Sequence, residues 1–168
     1  MSVNYYNGIK GIYFSSVINN IIRIGNLNNS NKRVLDFGCG SKILSKRLGQ
    51  KKVLNYDINP KYSDYDNYKN LNFDIVVFNH VLMYMDKDEI ISTLQNIKEI
   101  NKNCELIIGI GKEGLLNKVA ATAALNFSAH KGTLTTYNQQ KKILNSSTKI
   151  LKIKKNIFFM TDIYYAKF

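Results

Sequence analysis

The 168-residue chain has two cysteines, two histidines and three arginines, and it sets 12 acidic residues against 24 basic ones. Cys39 and Cys104 stand in no disulfide or metal-ligand spacing. That excludes a disulfide scaffold and a zinc ribbon, and it points to a reducing, cytoplasmic setting. No apolar run approaches the ~20 residues needed to span a bilayer. The opening "MSVNYYNGIKG" has neither an apolar core nor a small-residue cleavage site, so no secretory leader is expected. Nothing repeats and no linker divides the chain, so a single domain over residues 1–168 is expected.

Arginine is confined to Arg23, Arg33 and Arg47, which tempers the meaning of the +12 net charge. Asn, Ile and Lys are abundant throughout, as an AT-rich genome writes any protein, and readers of phosphate usually add the arginine fork to lysine. The charge is also uneven. Asp57, Asp64, Asp66, Asp74, Asp86, Asp88 and Glu89 crowd the middle, and lysines from Lys141 to Lys155 crowd the end. A solvated basic edge accounts for the lysines, so a nucleic-acid partner is the less favoured reading.

Periodicity supplies the elements. Ile9, Ile12, Tyr13, Val17, Ile21 and Ile24 recur at helical spacing, which predicts an amphipathic helix ending near Gly25. "RVLDF", "KKVLNYD", "FDIVVFN" and "CELIIGIG" read as buried strands. Ser41 is the expected cap of a helix after the first strand. Asp86 with Glu89 three positions on forms a capping box for a helix to about Ile100. A small-residue helix is expected in "EGLLNKVAATAALNF" and a short one over Asn138 to Leu144. "TKILKIKKNIFFM" and "DIYYAKF" read as a terminal hairpin with "TD" at its turn. In the first of these, Leu151 and Ile153 are expected to face the core and Lys152 and Lys154 to point away. Unbroken apolar strands alternating with helices predict an α/β fold whose parallel sheet is covered on both faces, with an antiparallel hairpin at one edge.

The turn after the first strand, "DFGCGS", is the most informative segment. Gly38 and Gly40 let a ligand approach the backbone, and the site lies where an open α/β sheet binds its ligands. A dinucleotide fingerprint would require a third small residue at the position of Ile43, and an anionic pyrophosphate would disfavour Asp36. A second acid, Asp57, closes the next strand, where a carboxylate accepts from ribose hydroxyls. A ligand with a ribose and positive charge but no phosphate satisfies both acids, and S-adenosylmethionine has those properties.

With these residues the chain resembles the class I S-adenosylmethionine-dependent methyltransferases over residues 30–168. "VLDFGCGS" resembles the first motif, "YDINP" the second and "FDIVVFNHVLMYM" the motif of the fourth strand, while "HKGTLTTYNQQKKIL" resembles the segment before the terminal hairpin. The resemblance implies a three-layer Rossmann-like sandwich with a core over residues 29–168. Residues 1–28 would form an N-terminal helix with Tyr5, Tyr6 and Tyr13 over the site, unless those tyrosines merely pack it. Asp36, Gly38, Cys39 and Gly40 would line the methionine portion of S-adenosyl-L-methionine, Asp57 the ribose and Ile58 the adenine. Asp66, or alternatively Asp64, would meet the adenine amine. Asn79 and His80 would face the sulfonium and the acceptor. The chain departs from the pattern in three places: Lys42 stands for a third glycine, "NKNCE" replaces the usual glycine pair, and only "INPKYSDYDNYKNLN" separates Asp57 from the third strand, so the fold is trimmed there.

Cys39 reads as a loop filler rather than a nucleophile, since methyl transfer forms no covalent intermediate. His80 and His130, the only histidines, are the candidate general bases, with a structural role as the alternative for each. Tyr84 belongs to the acceptor pocket or to the core. "NHVLMY" resembles the small-molecule branch rather than the nucleic-acid branch with its Pro-Pro-Tyr turn. The expected activity is methyl transfer to a small or medium metabolite. The alternatives are an RNA methyltransferase and a non-catalytic S-adenosylmethionine-binding partner subunit.

Overall fold

A computed structural model describes residues 8–112, 133–156 and 160–168. In chain order the described elements are α1 (Gly8–Ile24), β1 (Val34–Phe37), α2 (Ile43–Leu48), β2 (Val53–Tyr56), β3 (Ile75–Asn79), α3 (Lys87–Ile100), β4 (Glu105–Gly111), α4 (Tyr137–Ser147), β5 (Lys149–Lys155) and β6 (Thr161–Lys167). They build one six-stranded sheet in the order β2-β1-β3-β4-β6-β5. The first four strands run parallel, and β6 pairs antiparallel with both β4 and β5.

Two apolar layers cover the sheet, because its strands are apolar on both sides. Val17, Ile18, Ile21 and Ile22 of α1 and Leu44 of α2 pack with Val34, Ile75, Val77 and Ile107 on one face. Ile90, Leu94 and Ile97 of α3 and Ile143 and Leu144 of α4 pack with Leu35, Val76, Phe78 and Leu106 on the other. This is the three-layer Rossmann-like sandwich that the resemblance implied. The capping box forms as expected: Asp86 accepts from the Glu89 amide and Glu89 from that of Asp86, each at 2.8 Å. A second one, Thr136 with Gln139, opens α4.

The link from β2 to β3 is trimmed, as expected. It holds only a single 3-10 turn over Tyr68–Asn70. A parallel crossover normally carries a helix that shields the sheet. Here Tyr68 does that work, with its ring 5.0 Å from Phe37 and 5.2 Å from Tyr56.

Three local expectations fail. Ser41 does not cap α2. The helix starts one residue later, after Lys42, which adopts a left-handed backbone with φ 57° and gives no side-chain cap. The glycine turn carries its left-handed course through Gly38, Gly40 and Lys42 and places Ser41 off the helix start. Thr161 and Asp162 are not the hairpin turn but the first residues of β6, facing Gly111 and Ile110 across the ladder. Finally, Leu151 and Ile153 do not face the core: both are exposed, while Lys154 is half-buried. A bulge between Ile150 and Lys152 inserts one residue into the ladder. With a period of two, one extra residue reverses which side chains face inward. The placement of this strand at the sheet edge holds. The small-residue helix expected over 113–127 lies outside the described residues.

Candidate active site

The order β2-β1-β3 means that the chain leaves β1 to one side and returns on the other, so a crevice opens beyond the carboxyl ends of these strands. Asp36, Gly38, Cys39, Gly40, Asp57, Asn79 and His80 all lie at that crevice. The register aligns Asp36 with Asn55 and Val77. Strand alternation then puts Asp36, Asn55 and Asn79 on the α1 side of the sheet.

Asp36 is 5% exposed, and among the described residues no hydrogen-bond donor reaches its carboxylate. Burial first, and the Asp57 carboxylate second, raise its pKa to about 7. The amide oxygens of Asn55 and Asn79 are likewise buried without a donor. Buried acceptors are normally satisfied, so these two amide oxygens, with the Asp36 carboxylate on the same side of the sheet, leave a place for a donor that carries positive charge.

Asp57 is tied into the same loop. Its Oδ2 accepts from the Gly40 amide at 3.0 Å and its Oδ1 from the Asn59 amide at 2.9 Å. The turn is anchored further where the Gly38 amide donates to the Tyr56 carbonyl at 2.7 Å. Gly38 has φ 72°, and a methyl group there would stand 2.4 Å from Val81. Gly40 has φ 46°, and among the described residues beyond its chain neighbours no atom lies within 4 Å of where a Cβ would be. The loop is thus packed at its first glycine and open at its second. The Cys39 thiol donates to the Tyr62 carbonyl, and burial pushes its pKa to about 12, which keeps it a neutral filler.

Of the residues expected near the adenine, Ile58 is 92% exposed beside Asp57. Asp64 is already engaged: Lys42 and then Asn55 bond to it and hold its carboxyl below the usual range. Asp66 is exposed, with no partner among the described residues.

His80 follows β3 with φ 59°, a left-handed backbone that costs a non-glycine residue ~1–3 kcal/mol. Its amide donates to the Gly109 carbonyl at 3.0 Å, and its Nε2 lies 3.1 Å from Thr161 Oγ1. Thr161 in turn shares a hydrogen bond with the Tyr13 hydroxyl. Burial pulls the His80 pKa down to about 4, so the ring is neutral at physiological pH. His130 lies outside the described residues, as do Tyr5 and Tyr6. Tyr84 stands exposed on the turn after β3, so it is surface rather than core.

The sequence reading missed Thr161 and the two strand glycines. Gly111 is where a methyl would press on His80 at 3.2 Å, and at Gly109 it would press on Asn79 at 3.3 Å. Glycine inside a strand marks such close approaches, so "GIG" carried the signal. It also missed a polar cluster at the same sheet end. The Tyr137 hydroxyl donates to Asp162 at 2.7 Å and lies 2.9 Å from the Tyr164 hydroxyl, while Lys112 pairs with Asp162 at 2.8 Å. Burial raises the Tyr137 pKa.

Residues 10–107 match the model of a family described as a methyltransferase domain. No curated protein matches the sequence. Among solved structures, magnesium protoporphyrin IX methyltransferase from Synechocystis PCC 6803, with bound S-adenosylhomocysteine, is 19% identical. The match covers 95% of this chain and 87% of that one, at a TM-score of 0.56. The N-methyltransferase NodS from Bradyrhizobium japonicum WM9 is 13% identical, with 92% and 96% covered and a TM-score of 0.62. A Pyrococcus horikoshii OT3 protein reaches 0.67 at 10% identity, with 96% and 92% covered. At these identities the likeness is one of fold.

Proposed function

Since the chain belongs to the methyltransferase-domain family, we propose that it transfers a methyl group from S-adenosylmethionine to a small or medium-sized metabolite. The observation that carries this reading is the donor-free acceptor patch of Asp36, Asn55 and Asn79 beside an open glycine loop. A ligand bearing an ammonium and a sulfonium satisfies such a patch, whereas a pyrophosphate is repelled by it. This acceptor set therefore fits the cofactor. The similar folds with bound S-adenosylmethionine or S-adenosylhomocysteine support the same choice.

In this reading the cofactor supplies the activated methyl group for an in-line displacement. Asp36 carries the charge opposite the ammonium. Gly38, Cys39 and Gly40 present backbone to the methionine portion. Asp57, already fixed by the Gly40 and Asn59 amides, turns its remaining lone pairs to the ribose. Ile58 covers the adenine and Asp66 receives its amine. Asn79 and His80 border the acceptor and help align it, which is the protein's chief contribution to such a reaction. His80 is neutral near pH 7 and takes up an acceptor proton only as the methyl group arrives. His130 is the other proposed base.

The small-molecule acceptor rests on the "NHVLMY" turn and on similar folds whose names are those of small-molecule methyltransferases. Among the described residues no helix is long and apolar enough to cross a membrane, and we place the protein in the cytoplasm.

Calorimetry tests the cofactor. S-adenosylmethionine and S-adenosylhomocysteine are expected to bind in the micromolar range, ~7–8 kcal/mol. Binding of a nicotinamide dinucleotide with no response to either would overturn the assignment.

A further inference from the structure

Two of the three arginines meet at a place unrelated to the crevice. α1 presents Asn19, Ile22 and Arg23 on one face, at the spacing that aligns helical side chains. Arg47, from the last turn of α2, and Asn28, from the loop after α1, close the other sides. Together they line a concave space of about 390 Å³. That volume lies at the lower end of the range that holds small-molecule ligands.

The electrostatics of this cleft are one-sided. Arg47 donates to the Asn19 amide oxygen and, at 3.1 Å, to the Ser15 hydroxyl. Both partners are neutral, so the guanidinium is held in place without losing its charge. Arg23 has no partner among the described residues. Among the described residues no carboxylate lines the cleft. Arginines near helix ends often only offset the carbonyl dipole. Arg47 instead bonds across to Asn19 and Ser15 of α1. Ile22, which also lines the cleft, is buried in the core, and Asn19 and Asn28 add exposed amide side chains.

We propose that this cleft is a binding site for a phosphate-bearing ligand of nucleotide size. Arg23 and Arg47 grip the phosphate, the planar forks matching its oxygens. The exposed Asn19 and Asn28 amides bond polar atoms of the group that carries the phosphate. Nothing in this assignment depends on the methyltransferase reading.

Calorimetry with uridine monophosphate and inorganic pyrophosphate tests it at about 0.15 M salt, where unspecific attraction to a basic protein is screened. Uridine monophosphate lacks the adenine that the crevice would take. It is expected to bind at least ~10-fold tighter than uridine, and Arg23→Gln is expected to weaken it ~10-fold. Arg23 is exposed and has no partner among the described residues, so that variant keeps the fold, and binding of S-adenosylhomocysteine is expected to be unchanged in it. Arg47→Gln is expected to weaken uridine monophosphate at least as much. Lys152→Gln with Lys154→Gln, on β5 and outside the cleft lining, is expected to leave it unaltered. Absence of binding by both probes, or equal affinity in wild type and Arg23→Gln, would overturn the proposal. So would a short RNA that binds at this salt while uridine monophosphate does not, which would make the cleft part of a nucleic-acid track.

Discussion

Replacing Asp36 with asparagine separates stability from binding. An aspartate has a pKa near 3.9 in an unfolded chain, and burial with the nearby Asp57 raises that of Asp36 to about 7 in the fold. The folded state thus holds its proton more tightly than the unfolded state does. The stability that this confers is complete below pH 4 and is lost as pH rises through about 7. At ~1.36 kcal/mol per pH unit, the gap amounts to roughly 4 kcal/mol above pH 7. The asparagine side chain has no charge to bury but brings an amide that needs acceptors, which takes back ~1–2 kcal/mol. Without ligand, Asp36→Asn is therefore expected to be more stable than wild type by ~2 kcal/mol at pH 8, or about 4–8 °C in melting temperature. At pH 4 the order reverses and the variant melts lower. Cofactor binding moves the other way. The variant is expected to bind S-adenosylmethionine at least ~10-fold more weakly, and the wild-type affinity to rise with pH up to about 7 and then level off. Melting curves from pH 4 to 8 and calorimetry over the same range give both readouts. A stability difference that does not change with pH, or a variant less stable at pH 8, would show that the carboxylate has a donor in the fold and refute the reasoning.

Gly38→Ala adds a methyl 2.4 Å from Val81 on a left-handed backbone, so it is expected to destabilise by ~3 kcal/mol or more. Gly40→Ala meets open space and is expected to lose only ~1 kcal/mol; denaturant unfolding checks the pair. Asp57→Ala removes the acceptor of two loop amides and is expected to lower stability by ~2 kcal/mol as well as cofactor affinity. Calorimetry showing no change in affinity would remove Asp57 from the site. Thr161→Val cuts the link between Tyr13 and His80, and hydrogen exchange is expected to show α1 opening more often around Tyr13 while α3 is unaffected.

What the sequence determined by itself was the local chemistry. Runs such as "IVVF" bury both faces wherever they lie, Asp86 and Glu89 cap a helix within three residues, and the short link after Asp57 is trimmed of the usual helix and further strand. The two acids and two glycines of the first turns were legible for the same reason, since each belongs to a strand end that the local pattern marks. The tertiary structure decided what depends on distant neighbours. His80 owes its environment to Thr161, 81 positions away, and through it to Tyr13. Asp36 is unusual only because the fold buries it without bringing a donor from the described residues. The faces of β5 were set by a bulge in its pairing with β6, which alternation within the strand does not record. Arg23 and Arg47 are scattered in sequence, and the reach of Arg47 from α2 to Asn19 and Ser15 of α1 brings them together. Periodicity and capping act within a few residues, whereas burial, hydrogen-bond partners and strand register arise only when the chain closes on itself.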